Sequence, residues 1–452
     1  MTRVALISLG CAKNLVDSEI MLGSLAKAGY ERVEEPADAE VLIINTCSFI
    51  GDAKRESIAA IQDAAAARHG RKQKIVVAGC LAQRYRGQLP ALMPEVDAFI
   101  GLDQVATVAE IIDSLCGSKR KKGEAPAEFV TGKPAFIPDY DTPHTRLTPR
   151  HSAYVKIAEG CNHACAFCII PKIRGTHRSR DEESIVREVE ALVNNGCREV
   201  NLVSQDSTYY GMDKWEGERA RKTSGVDSSR GASLASLLRK LDAIKGDFWI
   251  RVLYTHPAHW SGELVETFAE CAKVVKYVDV PLQHASKNML DAMRRETGPE
   301  RLESLIAEIR AGIPSVMIRS TFIVGFPGES QEDFEALAAF VDKSGIERGG
   351  VFEYSREEDT RAFNLPGQIH HMTRRKRKNL LSEKLFHIAE ARGESLVGQK
   401  LRVLVEAPGV ARTEWDAPDV DGSVEVSPLL PVGEFAEVEI EDAAGYQLFA
   451  KA

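Results

Sequence analysis

Short apolar segments alternate with helical patterns through most of the 452-residue chain, and this alternation limits the fold more than any other feature. The first 118 residues contain three apolar runs and two helical patterns, at 4–8, 14–28, 41–44, 53–67 and 75–78. Strands that alternate with helices form parallel sheets, because each crossover helix returns the chain to the same end of the sheet. Residues 1–118 are therefore predicted to form an α/β domain with a parallel sheet.

The same alternation continues over residues 147–382. Six short apolar segments, each followed by a helical pattern, lie at 154–157, 199–203, 249–253, 277–280, 317–324 and 351–354. Six such units predict a partial barrel, smaller than the eight-unit barrel. In these folds the chemistry lies at the carboxyl ends of the strands, so the residues that follow each strand are the candidates for a site.

The sequence changes character between and after these regions. Residues 119–146 open with four basic residues and contain four prolines, which predicts an interdomain linker. Residues 384–452 alternate valine, leucine and glutamate at 401–405 and 435–440, which predicts a small all-β barrel. The whole chain is thus predicted to be an α/β multidomain protein.

Two segments within the predicted barrel region differ from their surroundings. Residues 213–233 are polar and rich in glycine and serine, which predicts an inserted surface loop. Residues 374–378 are five consecutive basic residues at the start of a predicted helix that runs to about residue 396. Such a run is either a solvated helix face or a contact with a polyanion, and the sequence leaves both open.

The chain contains nine cysteines, whose interpretation depends on the cellular compartment. No stretch approaches the roughly 18 apolar residues that span a bilayer. The apolar run at 4–10 is at the lower length limit for a signal peptide, and the helical pattern with Lys13 and Asp17 that follows it indicates a buried strand instead. We therefore predict a cytoplasmic protein without membrane contact. Thiols stay reduced there, so these cysteines are expected to be metal ligands or core residues.

Three cysteines form a compact group directly after the first predicted barrel strand. Cys161, Cys165 and Cys168 are separated by three and then two residues. Three thiolates in one loop can bind one face of an iron-sulfur cube, which leaves one iron open for a small ligand. A structural zinc site would need a fourth ligand, and the spacing to the nearby His163 does not match a Cys/His knuckle.

A second group of three is spread over the N-terminal domain. Cys11, Cys47 and Cys80 each follow one of its three predicted strands. The carboxyl ends of parallel strands share one edge, so these thiols are expected to converge there. Each cysteine alone would suit a buried core position; the repeated placement instead predicts a second three-cysteine cluster. The other cysteines, Cys116, Cys197 and Cys271, are assigned to packing.

The segment "EGCNHACAFCIIPKIRG" after the first barrel strand resembles the radical S-adenosylmethionine superfamily. The resemblance implies a partial (β/α)6 radical S-adenosylmethionine barrel and a 4Fe-4S cluster on Cys161, Cys165 and Cys168. It also implies that S-adenosylmethionine binds the open iron and is cleaved to methionine and a 5′-deoxyadenosyl radical. The cofactor then supplies the radical chemistry, and the protein orients and shields it.

Two three-cysteine sets followed by a small β module resemble the methylthiotransferase family over the whole chain. The motifs "SLGCAKNLVDSE", "INTCSFI", "LVSQDSTYYG", "PLQHAS", "RSTFIVGFPGE" and "DAPDVDG" resemble the branch that modifies an aspartate of ribosomal protein uS12. The resemblance implies a second, auxiliary 4Fe-4S cluster on Cys11, Cys47 and Cys80 that holds the inserted sulfur, a second S-adenosylmethionine that methylates it, and a TRAM-like C-terminal domain. It further implies an electron donor such as flavodoxin or ferredoxin, with free uS12 or the small ribosomal subunit as the substrate.

Several residues at predicted strand ends are candidates for contacts with S-adenosylmethionine. The resemblance places such positions around this cofactor, while a purely structural role remains equally open for each: Ser204, Gln205, Asp206, Gln283, His284, Arg319 and Gly325. Arg319 is expected to pair with the carboxylate of the cofactor. We interpret His256 and His259 as ordinary loop histidines.

The net charge of −8 is concentrated at the C-terminus. Residues 398–452 carry four basic and eleven acidic side chains, a net −7. A module that binds tRNA should be basic, whereas an acidic module suits a basic protein such as uS12. The alternative that the acidic residues only increase solubility stays open. Two other functions remain as alternatives: methylthiolation of a tRNA adenosine near the anticodon, and a non-catalytic iron-sulfur protein for electron transfer or redox sensing.

Overall fold

The chain divides into two compact units in the computed structural model, which describes residues 1–68, 73–117, 121, 123–215 and 225–451. The first unit comprises Met1–Thr148, Glu159–Asn162 and Cys168–Arg180. The second comprises Pro149–Ala158, His163–Phe167 and Asp181–Ala452. The loop that carries Cys161, Cys165 and Cys168 is thus shared between the two units.

The first unit is built on a parallel sheet, as predicted. Its strands are β1 (Arg3–Ser8), β2 (Glu31–Arg32), β3 (Val41–Thr46), β4 (Lys74–Gly79), β5 (Ala98–Ile100) and β6 (Ala127–Phe129), in the order β2-β1-β3-β4-β5-β6. Its helices are α1 (Ala12–Lys27), α2 (Gly51–Ala67), α3 (Cys80–Arg84), α4 (Leu89–Leu92), α5 (Val108–Gly117) and α6 (Ile170–Ile173). Strand β3 is buried along its whole length, as expected for a central strand covered by helices on both faces.

The segment predicted as a linker, 119–146, is structured on the first unit. It supplies β6, which pairs with β5. The Asp103 carboxylate accepts hydrogen bonds from the backbone of residues 135 and 136, and the Glu19 carboxylate accepts one from Leu147. A three-residue strand among prolines has no recognisable alternation, so the sequence pattern could not reveal it. Three of the four opening basic residues, 119, 120 and 122, lie outside the described residues.

The second unit contains the partial barrel. The next strands along the chain are β7 (Ser152–Lys156), β8 (Ala158–Glu159), β9 (Arg178–Ser179), β10 (Glu199–Val203), β11 (Trp249–Val252), β12 (Tyr277–Asp279), β13 (Met317–Val324) and β14 (Arg348–Glu353). Six of these pair in parallel as β7-β10-β11 and β12-β13-β14, and an Ile250–Val274 bridge and a hydrogen bond from Thr255 to the Asp279 carbonyl join the two groups. The predicted (β/α)6 arrangement is confirmed. Strand β14 begins at Arg348, three residues before the predicted segment. The sequence pattern missed these residues because Gly349 and Gly350 interrupt the apolar run.

Helices and 3-10 turns surround these strands. The helices are α7 (Glu182–Asn194), α8 (Leu234–Asp242), α9 (Gly262–Glu270), α10 (Lys287–Ala292), α11 (Pro299–Gly312), α12 (Gln331–Ser344) and α13 (His371–Glu394). Among the described residues, no helix combines the length and apolar character that crossing a membrane requires.

The two ends of the segment predicted as an inserted loop, 213–233, are anchored. The Trp215 indole donates a hydrogen bond to the Ala232 carbonyl at 2.8 Å, and the Arg230 guanidinium lies over the Trp215 ring. Residues 216–224 in the middle of the prediction lie outside the described residues.

Helix α13 carries the basic run and connects the partial barrel to the C-terminal module. Arg374 donates to the Tyr354 carbonyl, and Arg377 donates to the carbonyl and carboxylate of Glu329. Two of the five basic residues therefore face the barrel, an arrangement that neither predicted alternative included. The predicted domain boundary between 382 and 384 falls inside this helix.

The C-terminal module is a closed five-stranded barrel, as predicted. Its strands are β15 (Lys400–Ala407), β16 (Val410–Thr413), β17 (Val424–Glu425), β18 (Phe435–Ala444) and β19 (Gln447–Ala450), in the order β15-β16-β17-β19-β18. It meets the partial barrel through buried charges near the amino ends of the barrel strands. The carboxyl ends, where the candidate site was predicted, are at the other end of the same strands.

Glu199, the first residue of β10, is the centre of one such buried charge group. Its carboxylate accepts hydrogen bonds from Arg251 at 2.9 Å and from Arg412 of the module at 2.5 Å. Burial alone would raise the pKa of Glu199, but these two guanidinium groups lower it to about 2. The carboxylate is therefore ionised and fully compensated at neutral pH.

Two acidic residues of the module pair with arginines of the partial barrel. The Asp416 carboxylate lies 2.8 Å from Arg348, and Asp421 lies 3.3 Å from Arg319. Tyr277 also donates its hydroxyl to Asp421 at 2.6 Å. Some acidic residues of the module thus pair with arginines of the partial barrel. The net charge of the module therefore overstates the negative charge that is exposed to a partner.

Candidate functional site

Three thiols of the first unit lie where neighbouring parallel strands end. Cys11 precedes α1 after β1, Cys47 follows β3, and Cys80 opens α3 after β4. A Cβ atom on Gly10 would lie 3.1 Å from the Cys47 sulfur, so the chain beside Cys11 runs directly against Cys47. The structure brings these three predicted site residues to one edge of the sheet.

Asn14 and Gly79 hold the loops of this edge together. The Asn14 amide donates to the carbonyls of Leu9 and Thr46 at 3.0 and 2.8 Å, which ties the loop after β1 to the end of β3. Gly79 has a φ of +92°, and a Cβ there would lie 2.2 Å from the side-chain oxygen of Asn45. Only glycine fits at that position without displacing Asn45.

Burial and nearby cations act in opposite directions on the pKa values of these thiols. It raises the pKa of Cys47, and it raises that of Cys80 to about 12 although Arg174 acts in the opposite direction. For Cys11 burial also acts upward, but Lys13 and Arg174 outweigh it and lower the pKa. All nine cysteines of the chain are among the described residues, and none forms a disulfide. Three converging soft donors of this kind fit an iron-sulfur cluster with one open iron.

Arg174 is a residue of this edge that the sequence analysis quoted only inside a motif. Its guanidinium contacts Cys80, Asn14, Asp17 and Glu159 within the first unit. The apolar side chains of Ile169, which precedes the short α6, and Ile173, its last residue, pack with Cys80 and Leu102. In the sequence, Arg174 is a single arginine that follows the short apolar segment after Cys168. This pattern is too common to identify a functional residue.

The loop with Cys161, Cys165 and Cys168 is held by contacts at its first two cysteines. In the first unit, Cys161 donates its backbone N–H to the Gly175 carbonyl at 3.1 Å. Gly160 has a φ of +83°, and a Cβ there would lie 2.2 Å from the Thr176 carbonyl. In the second unit, the Arg295 guanidinium lies 3.6 Å from the Cys165 sulfur. Cys161, Cys165 and Cys168 are all partly exposed, so a bound ligand could reach them.

His163, between the first two cysteines of the loop, is anchored in the second unit. Its Nε2 lies 2.8 Å from Asp206, and its Nδ1 lies 3.3 Å from Glu296. The His163 ring stacks on His256 with centroids 3.7 Å apart, and His259 contacts the same Asp206 oxygen at 3.1 Å. The interpretation of His256 and His259 as ordinary loop histidines is wrong, because both are buried in this network.

The carboxylates give this network a defined charge. Burial acts to lower the pKa of His163, but Asp206 and Glu296 outweigh it and raise the pKa to about 9. Burial lowers the pKa of His256, and Arg295 adds to that effect. His163 is therefore a cation stacked on a neutral His256.

The three histidines are close enough together to hold a metal ion, but their donors point elsewhere. Their ligand atoms lie within 4.8 Å of one another. However, both nitrogens of His163 face carboxylates, and Nδ1 of His256 accepts a hydrogen bond from the backbone N–H of Ala258. A metal on Nε2 of His256 would require a proton on Nδ1, which is the atom that accepts this bond. The arrangement is therefore that of a proton-sharing network that anchors the loop.

The residues predicted to contact S-adenosylmethionine fall into two groups. Ser204 and Gln205 follow β10, and the Ser204 hydroxyl lies 3.1 Å from that of Ser207. Gln283 and Gly325 have positive φ angles of 73° and 72°, at turns after β12 and β13. Arg319 differs from these four residues, because its guanidinium already forms ion pairs with the carboxylates of Asp279 and Asp421.

Asp206 and His284 were also predicted to contact S-adenosylmethionine, but both form hydrogen bonds with other side chains of the protein. Asp206 binds the histidine network, and His284 lies 3.1 Å from Glu329. These two residues are positioned to support the loops of the site.

Replacing His163 with alanine is expected to weaken iron binding by the loop cysteines about 10- to 100-fold, the usual cost of removing a supporting contact around metal ligands. The change removes both carboxylate contacts of the loop between Cys161 and Cys165. Iron retained after exposure of the reconstituted protein to a chelator measures the effect. His387→Ala, on the exposed face of α13, is the matched control; equal retention in the two variants would contradict the anchoring role.

Three family descriptions match successive parts of the chain. Residues 3–101 match the "Uncharacterized protein family UPF0004", residues 155–341 the "Radical SAM superfamily", and residues 397–452 the "TRAM domain". The first match covers β1 to β5 of the parallel sheet, the second covers most of the partial barrel up to α12, and the third covers the closed barrel.

Curated proteins resemble the chain over its full length. It is 54% identical over 452 residues to "Ribosomal protein uS12 methylthiotransferase RimO" of Akkermansia muciniphila, with 99% of both chains covered. A protein of the same name from Opitutus terrae is 55% identical, with 100% of this chain and 96% of the relative covered. A third, from Pelotomaculum thermopropionicum, is 42% identical over 99% of this chain and 98% of the relative.

Solved structures resemble the chain in fold. The radical S-adenosylmethionine methyltransferase TsrM from Kitasatospora setae superposes with a TM-score of 0.55 at 16% identity, covering 95% of this chain and 83% of its own. The cobalamin-dependent S-adenosylmethionine radical enzyme OxsB gives a TM-score of 0.53 at 10% identity, over 86% of this chain and 58% of its own.

Proposed function

Since the chain belongs to the family of ribosomal protein uS12 methylthiotransferases RimO, a branch of the radical S-adenosylmethionine enzymes, we propose that it inserts a methylthio group at the β-carbon of an aspartate of uS12. The observation that carries this proposal is full-length identity of more than half to proteins of that name. The two three-cysteine sets at the ends of strands supply the donors that such chemistry needs.

The first part of the site is the loop of the partial barrel. Enzymes of the radical S-adenosylmethionine family use a 4Fe-4S cluster and S-adenosylmethionine. We assign Cys161, Cys165 and Cys168 as the ligands of this cluster. Three ligands leave one iron open to S-adenosylmethionine, and the partial exposure of all three cysteines supports this assignment.

The second part is the cysteine edge of the first unit. We assign Cys11, Cys47 and Cys80 to a second 4Fe-4S cluster that holds the sulfur to be inserted. When bound, the loop cluster with S-adenosylmethionine would supply a radical that removes a hydrogen atom from the substrate, and the second cluster would supply the sulfur that takes its place. The protein's own task is to hold both groups, exclude water and orient the aspartate.

The S-adenosylmethionine contacts form a third part of the proposal. We propose that Ser204, Gln205, Gln283 and Gly325 line the cofactor, because they lie at or just after the carboxyl ends of β10, β12 and β13. Arg319 is left out of this proposed set, since two protein carboxylates already pair with its guanidinium.

The substrate and the reductant are the partners of the proposed reaction. We propose uS12, free or within the small ribosomal subunit, as the substrate, and a low-potential donor such as flavodoxin or ferredoxin as the source of electrons. The exposed acidic side chains of β18 favour a basic protein over tRNA as the partner of the C-terminal module.

Mass spectrometry of uS12 tests the function directly. Cells that lack the gene should contain uS12 without the methylthio group, and the wild-type gene should restore it while a Cys165→Ala gene should not. Undiminished methylthio-aspartate in the deletion strain would refute the assignment. Loss of a methylthio-adenosine from tRNA with uS12 unchanged would instead favour the tRNA alternative.

The non-catalytic alternative is separated by a second measurement. The anaerobically reconstituted and reduced protein should cleave S-adenosylmethionine. An iron-loaded protein that leaves it intact under reduction would support an electron-transfer or redox-sensing role.

A further inference from the structure

Arg174 connects the two cysteine sets within the first unit, and the proposed function gives it no role. It follows Cys168 by six residues and lies directly after α6. Its Nη2 atom lies 3.4 Å from the sulfur of Cys80, a hydrogen-bond distance for a sulfur acceptor. One short segment therefore begins at a proposed ligand of the barrel cluster and ends on a proposed ligand of the other cluster.

The contact suits a thiolate better than a thiol. A cysteine bound to iron has lost its proton, so the Cys80 sulfur can then only accept hydrogen bonds. A guanidinium has five N–H donors and keeps its charge when buried, and Arg174 is only 2% exposed. Arg174 can therefore donate a charge-assisted hydrogen bond to the cluster-bound form of Cys80.

Two carboxylates and one amide fix the guanidinium in this position. Glu159 accepts two hydrogen bonds from Nη1, at 3.0 and 2.9 Å, and Asp17 accepts one from Nη2 at 3.0 Å. The Asn14 side-chain oxygen also accepts from Nη2 at 2.6 Å. These carboxylates orient Arg174 and also offset its charge, so they limit the positive field at Cys80.

We propose that Arg174 is a positioning residue of the N-terminal cluster, which holds the Cys80 sulfur by a hydrogen bond and raises the reduction potential of that cluster. Hydrogen bonds and positive charge at cluster sulfurs stabilise the reduced state, which is the more negative one. The inference rests on the proposed function, because it requires a cluster on Cys11, Cys47 and Cys80.

Two sets of substitutions separate the effect of the arginine on the potential from the effect of its carboxylates. Arg174→Met/Asp17→Asn/Glu159→Gln removes the cation together with its two countercharges, so no buried charge is left alone. Asp17→Asn/Glu159→Gln keeps the arginine and removes only the countercharges. The second variant should have a higher potential than the wild type, and the first variant, which differs from the second only by the loss of the arginine, should have a lower potential than the second.

The measurement is a redox titration of the reconstituted full-length protein, followed by electron paramagnetic resonance. The signal of the N-terminal cluster is identified as the one that persists when Cys165→Ala is added to each protein. Iron release from this cluster to a chelator should be about 10- to 100-fold faster in the first variant. A role in packing alone would leave the potential unchanged.

The possible outcomes separate the inference from the proposed function. Two clusters in every protein, with equal potentials and equal iron release, would overturn the role of Arg174 and leave the proposed function standing. A wild-type protein with a single cluster would remove the proposed function as well. If the first variant does not fold, Arg174→Lys takes its place: faster iron release than in the wild type supports the inference, and unchanged release overturns it.

Discussion

Replacing Cys80 with alanine should lower the iron content of the reconstituted protein from about eight to about four atoms per chain, since each 4Fe-4S cluster carries four irons. Two remaining thiols at the edge formed by β1, β3 and β4 do not suffice to hold a cluster that takes three. The loop with Cys161, Cys165 and Cys168 lies outside this edge, so its cluster should remain. Iron analysis gives the number of iron atoms per chain, and electron paramagnetic resonance gives the number of clusters.

The same variant should also separate two activities. Cleavage of S-adenosylmethionine should continue, because it depends on the loop cluster, whereas methylthiolation of uS12 should be lost. Cys197→Ala is the matched control, since Cys197 is buried in the core of the partial barrel. Unchanged iron in the Cys80→Ala protein would show that Cys11, Cys47 and Cys80 hold no cluster.

Replacing Glu199 with alanine should destabilise the second unit by about 3–5 kcal/mol, the usual cost of leaving a buried charge without its partner. Both Arg251 and Arg412 would lose the carboxylate between them. Denaturant unfolding followed by tryptophan fluorescence measures the loss. Glu437→Ala, on the exposed surface of the same unit, should change stability by less than about 0.5 kcal/mol.

The pH dependence of unfolding provides a second check on Glu199. Its pKa is about 2 in the folded protein and about 4.3 in an unfolded chain, so its stabilising contribution is complete above about pH 4.3. That contribution should be lost as the pH falls from there toward 2. A Glu199→Gln protein should lack this part of the pH dependence; identical profiles for both proteins would show that the carboxylate is not stabilised by its arginines.

Much of the architecture followed from local patterns. Strands such as β1 and β3 carry continuous apolar runs, and each is followed by a helix of regular period. The same alternation recurs in the barrel region, so the parallel sheet and the partial barrel could be predicted. The short strand β6 could not be predicted, because its three residues pair only once β5 is in place. Tertiary pairing, and not local preference, makes that strand.

The candidate site shows the same division. The spacing of Cys161, Cys165 and Cys168 is a local property and was visible in the sequence. His163 and Asp206 are 43 residues apart, and Arg174 and Cys80 are 94 apart, so only the folded chain brings them within hydrogen-bond distance. Side chains that act through another residue have no fixed spacing from it, and sequence patterns therefore miss them.

The charge of the C-terminal module was the least reliable guide. Eleven acidic residues there suggested a surface for a basic partner, but Asp416 and Asp421 are buried against Arg348 and Arg319. A count of charges cannot distinguish a carboxylate that faces solvent from one that is neutralised inside the protein, because that difference depends on burial.

By itself, the sequence determined the alternation of strands and helices, the two three-cysteine sets and the closed β module. These features depend on residue type and short-range spacing, which the chain carries before it folds. Only the tertiary structure decided which charges are paired, which histidines anchor the loop and which arginine reaches the N-terminal cysteines. Such contacts arise from the packing of distant segments, where distance and burial, not order along the chain, set the energy.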